Sequence, residues 1–212
     1  MRSSHLRLYV ATDRECLGRR DLKEIVAACV ENGATMVQLR EKQISTRDFC
    51  LYAQQIHAIT RRHDVPLIIN DRVDVMLAVE AEGVHVGRED LPLPLTRQLA
   101  GDRIVGYSVN TLEHLRYAEE EGADYVGIGP VHPTGTKTDT GPAVGMEGLR
   151  TIARHARIPA VAIGGITAEN AAEAIKAGAA GCCVVSAILK AHDVAAGVLR
   201  LRSVIDDALS GV

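Results

Sequence analysis

Aliphatic runs recur along the chain at Leu6–Ala11, Met36–Leu39, Leu67–Asn70, Gly83–Val86, Ile104–Ser108, Tyr125–Gly129, Ala160–Ile163 and Gly181–Val185. They are nearly continuous rather than alternating. That is the pattern of strands buried on both faces, as in a parallel sheet covered by helices. Amphipathic stretches fit between them, at Leu22–Asn32, Thr46–Arg61, Leu112–Glu120, Glu147–His155 and Ala168–Ala177, and a last helix runs through Ala195–Leu209. Three helix–strand junctions repeat one phrase, at Asn32-Gly33-Ala34, Glu121-Gly122-Ala123 and Ala177-Gly178-Ala179. Each places Gly where a helix C-terminus needs a left-handed residue. Asn110-Thr111-Leu112-Glu113 reads as a capping box, and Thr167 as a second N-cap.

Eight strands, each with a following helical segment, predict a compact (β/α)8 TIM barrel forming a single domain over residues 1–212. A doubly wound open sheet is the alternative. It lacks its usual sign, because Ala11-Thr12-Asp13 follows the first strand where a G-x-G-x-x-G turn would stand. The longest irregular stretch is Pro130–Gly145, rich in Gly, Pro and Thr. So long a loop in so compact a chain points to function or disorder.

Composition supports the aliphatic barrel. Of 212 residues, 47% are hydrophobic but only 3% aromatic, so Val, Ile, Leu and Ala must fill the core. The formal net charge of -3 and the scarcity of aromatics argue against nucleic acid or an anionic membrane surface as a partner. No stretch approaches the ~18 apolar residues of a membrane span. The five cysteines, Cys16, Cys29, Cys50, Cys182 and Cys183, form no C-x-x-C pair. An odd count in largely apolar segments fits a reducing, cytoplasmic compartment. Nothing in the sequence decides between a monomer and a homodimer.

In a barrel, chemistry gathers at the C-terminal ends of the strands. The second strand ends in Gln38-Leu39-Arg40-Glu41-Lys42, two cations and an amide that suit an anion; a solvated charged loop is the plainer alternative. The third ends in Asn70-Asp71-Arg72, and the fourth leads to Gly87-Arg88-Glu89-Asp90. Asp71 and Asp90 then hang from neighbouring strand ends. Two carboxylates near Arg40 and Lys42 are what a Mg²⁺–diphosphate site requires; taken alone, a helix cap for Asp71 and a loop carboxylate for Asp90 are the plainer readings. Ser108 closes the fifth strand and can donate to a substrate; Asn110 can cap the next helix. His132, Thr134, Thr136 and Lys137 stand on the loop after the sixth strand, which could close over an anion and exclude water. His132 is a candidate base, or merely a half-buried ring beside Pro133. Gly164-Gly165 and Val185-Ser186 end the last two strands, where barrels often bind phosphate through backbone N–H groups. Two anion sites emerge, one implying a metal and one not.

Taken together, these phrases resemble the thiamine-phosphate synthase family. The likeness runs from Tyr9-Val10-Ala11-Thr12-Asp13 to Val185-Ser186-Ala187-Ile188. It rests on Val37-Gln38-Leu39-Arg40-Glu41-Lys42, Ile69-Asn70-Asp71-Arg72, Gly83-Val84-His85-Val86-Gly87, Thr134-Gly135-Thr136-Lys137 and Ala162-Ile163-Gly164-Gly165-Ile166. The resemblance implies a transferase that joins a hydroxymethylpyrimidine diphosphate to a thiazole phosphate, or its carboxylated form, with release of pyrophosphate. It also implies that the pyrimidine substrate ionises first and that the thiazole nitrogen attacks the resulting cation.

By the same resemblance, Gln38, Leu39, Arg40, Glu41, Lys42, Asn70, Ser108 and Lys137 hold the pyrimidine diphosphate. Arg40, Lys42, Ser108 and Lys137 are the catalytic set, and Asp71 and Asp90 bind Mg²⁺. Thr134, Gly135, Thr136, Gly165, Val185 and Ser186 hold the thiazole phosphate. Two positions depart from the family pattern: Asn110, where many members carry His, and His132, where many carry an aromatic residue. Two other functions stay open at this point. One is the sister thiazole tautomerase, which needs no diphosphate site and lacks the intact Gln-Leu-Arg-Glu-Lys and Thr-x-Thr-Lys phrases. The other is a barrel that only sequesters phosphate, which has no use for two carboxylates beside Arg40.

Overall fold

The structure is a computed structural model that describes residues 1–134 and 142–211. Eight parallel strands close into a barrel in sequence order: β1 (Leu8–Ala11), β2 (Met36–Leu39), β3 (Leu67–Asn70), β4 (Gly83–Val86), β5 (Ile104–Val109), β6 (Tyr125–Ile128), β7 (Ala160–Ile163) and β8 (Gly181–Val184). Closure is made by β1 against β8, with Leu8 opposite Cys182 and Val10 opposite Val184. The open-sheet alternative is thereby excluded. The first strand begins two residues later than the sequence pattern suggests. Ser3–Leu6 forms a 3-10 turn, and fully buried Leu6 packs with the lumen residues.

The outer layer comprises α1 (Arg14–Leu17), α2 (Leu22–Glu31), α3 (Thr46–Arg62), α4 (Val73–Ala78), α5 (Leu93–Ala100), α6 (Leu112–Glu120), α7 (Gly145–His155), α8 (Ala171–Lys176), α9 (Ser186–Leu189) and α10 (Val194–Ser210). The sequence pattern outlines the long helices but not α4 and α5. Those two are six and eight residues long, too short to display a clear helical period. The junction glycines behave as expected: Gly33, Gly122 and Gly178 all have positive φ. The capping box does not form. Thr111 is the N-cap, accepting from the His114 N–H at 3.1 Å, and position 114 carries no carboxylate to answer it. Thr167 does not cap α8 either, since the helix starts at Ala171; its hydroxyl accepts from the Glu169 N–H instead.

Strand alternation divides the apolar residues into two clusters. Outward positions such as Val10, Leu39, Ile69, Val86, Val126 and Val184 pack under the helices. Inward positions Tyr9, Ala11, Met36, Ile68, Tyr125, Val161 and Cys183 fill the lumen. Two tyrosines are a large payload for a barrel this small, and glycine makes room for them. A Cβ on Gly106 would lie 2.2 Å from Tyr125 Cζ and 2.4 Å from His85 Nδ1.

Candidate active site

The polar lumen residues rise from this floor toward the C-terminal mouth. Gln38, Asn70, His85 and Ser108 sit near the ends of β2, β3, β4 and β5, and all four line one cavity. The opposite wall is made by Gly164, Gly165, Val185 and Ser186 from the β7 and β8 ends, with Thr134 beside them. Arg40 lines the same cavity, so it is the member of the first predicted anion region that shares a mouth with the second.

Arg40 is held in place from the first strand end. Its N–H donates to Thr12 Oγ1 at 3.0 Å, and its guanidinium donates to Asp13 Oδ2 at 2.8 Å. Asp13 is buried and uses its other oxygen to cap α1, accepting from the Glu15 and Cys16 N–H groups. The Arg40 side chain is only 19% exposed and its Nε has no partner among the described residues. A buried donor left open in a cavity wall is a place for an incoming acceptor. Thr12 and Asp13 were legible in sequence only as an absent glycine motif.

Lys42, Asp71 and Asp90 do not line the cavity; they meet just beyond it, where Asp71 follows Asn70. Lys42 Nζ donates to Asp71 Oδ2 at 2.7 Å. Asp90 Oδ2 accepts from the Gly87 N–H at 2.8 Å, which folds its loop back toward β4. Asp71 is not a helix cap. Its φ is 63°, and its N–H donates to the His85 carbonyl at 2.8 Å. A non-glycine residue held left-handed is uncommon and usually needs a local reason. Burial pushes the Asp71 carboxyl above its ordinary range; neighbouring Asp90 adds to that rise, and Lys42 opposes it. Asp71 thus faces both the Asp90 carboxylate and the Lys42 cation.

Three expectations are corrected. The Leu39 side chain is fully buried in the outer cluster under the helices, so it faces away from the mouth. Glu41 also points aside: Arg14 grips it with two bonds, at 2.9 and 2.7 Å, and its side chain is 3% exposed. Strand alternation explains both, since residues 38 and 40 share one side and 39 and 41 the other. Asn110 is not the cap of α6. Its buried Oδ1 has no partner among the described residues, and the residue lines the cavity. Gly135, Thr136 and Lys137 lie outside the described residues.

Gly165 proves necessary for a second reason. At φ 65°, a Cβ there would stand 2.7 Å from His132 Cβ, so glycine lets the β6 loop pack on the β7 loop. His132 is a half-buried packing partner in that contact, and it is absent from the cavity lining. Asn170 secures the same turn, donating to the Gly165 carbonyl at 2.9 Å and accepting from the Thr167 N–H at 2.8 Å.

Sequence reasoning missed the buried polar chain beneath the mouth. Gln38 Nε2 donates to Tyr9 Oη at 2.7 Å, Tyr9 Oη lies 2.9 Å from Tyr125 Oη, and Tyr125 Oη lies 3.0 Å from His85 Nδ1. His85 Nε2 lies 2.9 Å from Ser108 Oγ. Burial raises both phenols above the usual tyrosine range, so they stay protonated. Two tyrosines in so aromatic-poor a chain were the available signal.

Comparison with known proteins gives a consistent picture. The family model described as thiamine monophosphate synthase matches residues 8–188. A thiamine-phosphate synthase of Chloroflexus aurantiacus is 47% identical, covering 94% of this chain and 92% of the relative. One from Albidiferax ferrireducens is 48% identical, covering 97% and 94%. The solved structure of a thiamine phosphate pyrophosphorylase from Pyrococcus furiosus superposes with a TM-score of 0.91 at 40% identity, covering 98% of each chain. None of these three is a tautomerase or a non-catalytic barrel.

Proposed function

The chain belongs to the thiamine monophosphate synthase family, and from that premise we propose how its mouth joins a pyrimidine diphosphate to a thiazole phosphate with release of pyrophosphate. The activity is that of a transferase. One observation carries the assignment of roles: the Lys42–Asp71–Asp90 cluster adjoins, through Asn70, a cavity whose two walls bear Arg40, Asn70 and Ser108 on one side and Gly165 and Ser186 on the other.

The donor set of that cluster suits Mg²⁺. Both groups are carboxylates, which are hard oxygen donors. A cation held by Asp71 and Asp90 would complete its shell with water and diphosphate oxygens. Burial and mutual repulsion raise the Asp71 carboxyl, and a cation would relieve both. When bound, Mg²⁺ supplies neutralisation of the charge that grows on the leaving pyrophosphate.

This chain's own residues do the rest. Arg40, fixed by Thr12 and Asp13, offers a preset guanidinium to the diphosphate; Lys42 is free to exchange its Asp71 partner for a phosphate oxygen. Lys137, outside the described residues, is assigned to the same anion. Gln38, Asn70 and Ser108 orient the pyrimidine ring. The thiazole phosphate rests against Gly165, Val185, Ser186 and Thr134; Gly135 and Thr136, outside the described residues, are assigned to the same phosphate. Preset charges of this kind act on the transition state without reorganising. The attacking ring nitrogen needs no strong base, in keeping with the packing role of His132. We place one such site in a single barrel domain spanning residues 1–212. The five unpaired cysteines suit a reducing cytoplasm.

The test is pyrophosphate release coupled to thiamine phosphate formation with both substrates present. Lys42→Ala should lower kcat/KM for the pyrimidine diphosphate by about a hundredfold, as loss of a charge-assisted contact does. A value within twofold of the parent protein would remove the Lys42–Asp71–Asp90 cluster from the mechanism.

A further inference from the structure

Beneath the mouth, five side chains from five strands form an unbroken hydrogen-bonded line: Gln38, Tyr9, Tyr125, His85 and Ser108. Its middle is buried. Tyr9 is 1% exposed and Tyr125 is fully buried, their rings meeting edge-on at 6.0 Å. Only the two ends, Gln38 and Ser108, carry roles in the reaction. A sheet can pack its lumen with aliphatic residues at lower cost than with polar ones, which must all be satisfied.

We propose that this line is a one-way relay whose buried members Tyr9, Tyr125 and His85 are positioning residues, holding the Ser108 hydroxyl as a hydrogen-bond donor to the pyrimidine substrate. The proposal rests on Ser108 facing that substrate. The direction follows from counting protons. The Gln38 amide donates to Tyr9 Oη, so the single Tyr9 proton goes on to Tyr125 Oη, 2.9 Å away. Tyr125, having accepted, gives its proton to His85 Nδ1 at 3.0 Å. A neutral imidazole that accepts at Nδ1 carries its proton on Nε2, and that N–H faces Ser108 Oγ at 2.9 Å. Ser108 therefore accepts from below, and its own proton is directed to an acceptor in the mouth. A pyrimidine ring nitrogen is such an acceptor. At the other end, Gln38 keeps its carbonyl oxygen for a donor, such as an exocyclic amine. The two ends then read complementary edges of one ring, and their polarities are coupled through the barrel floor.

Lumen packing supports the same function. Gly106 is bare where any Cβ would strike Tyr125 and His85. The absence of a side chain there is what lets the two rings meet.

The experiment has two arms. First, ¹⁵N spectra of the unliganded protein, with His85 assigned through His85→Gln, should show His85 as the Nε2–H tautomer; an Nδ1–H tautomer would mean the relay runs the other way and would overturn the proposal. This arm needs no turnover, so it judges the relay separately from the assigned activity. Second, Tyr125→Phe should lower kcat/KM for the pyrimidine diphosphate about tenfold, the worth of one oriented hydrogen bond, leaving KM for the thiazole phosphate unchanged. In a Ser108→Ala background, the same change should have no further effect, because the relay then has nothing to orient. Equal losses in both backgrounds would show that Tyr125 acts only through packing, and the proposal fails.

Discussion

Gly106 and Gly127 face the same lumen from adjacent strands, yet alanine should have very different consequences at the two sites. At Gly106 a Cβ would stand 2.2 Å from Tyr125 Cζ, 2.4 Å from Tyr125 Oη and 2.4 Å from His85 Nδ1. Two are ring atoms and the third is the phenol oxygen carried by one of those rings. Tyr125 is wholly buried, so its ring has no solvent to retreat into. Relief requires the ring to move about an ångström, which strains its rotamer and breaks its bonds to Tyr9 and His85. Overpacking of this kind costs ~1–3 kcal/mol. A disrupted buried hydrogen bond adds ~1 kcal/mol or more. At Gly127 the nearest atom is His85 Cε1 at 3.4 Å, an ordinary contact. Restricting the unfolded chain there is worth about 0.4–1 kcal/mol in favour of the fold.

The expected outcome is a loss of about 3 kcal/mol for Gly106→Ala and a change within about 1 kcal/mol for Gly127→Ala. Urea unfolding followed by circular dichroism measures both. With a slope of ~2–3 kcal/mol/M, the Gly106→Ala midpoint should fall by about 1–1.5 M at unchanged slope. If the two variants unfolded within about 0.3 M of each other, the packing account of the lumen would be wrong.

Three further outcomes follow. Asp71→Asn should abolish most turnover, about a hundredfold or more, and Mg²⁺ should raise the melting temperature of the parent protein but not of the variant; equal shifts in both would place the cation elsewhere. Gly165→Ala, forced to hold φ 65° with His132 Cβ at 2.7 Å, should raise KM for the thiazole phosphate by about tenfold and leave KM for the pyrimidine diphosphate nearly unchanged; steady-state kinetics in each substrate decides it. Burial pushes the Cys29 and Cys182 thiols up to about 12 and Cys183 further, so at pH 8 they should resist a thiol reagent, with half-buried Cys50 reacting first. Mass mapping after brief labelling would expose an error if Cys182 or Cys183 led.

By itself, the sequence determined the barrel and most of its mouth. Aliphatic runs marked eight strands because strands buried on both faces leave no polar side to interrupt them. Gly33, Gly122 and Gly178 marked three helix ends because only glycine accepts that φ without strain. Arg40, Asp71, Ser108 and Gly165 were visible because chemistry in this architecture gathers at strand ends, a position fixed by local order along the chain. Tertiary structure decided which side of each strand faced the lumen at its end, and so removed Leu39 and Glu41 from the mouth and gave Glu41 to Arg14. It also assigned Asp13 to Arg40, and it joined Tyr9 to Tyr125 across 116 positions and His85 to Tyr125 across 40. Those partners have no mutual spacing to read. They meet only because the sheet closes on itself, which brings side chains from distant strands within hydrogen-bond reach.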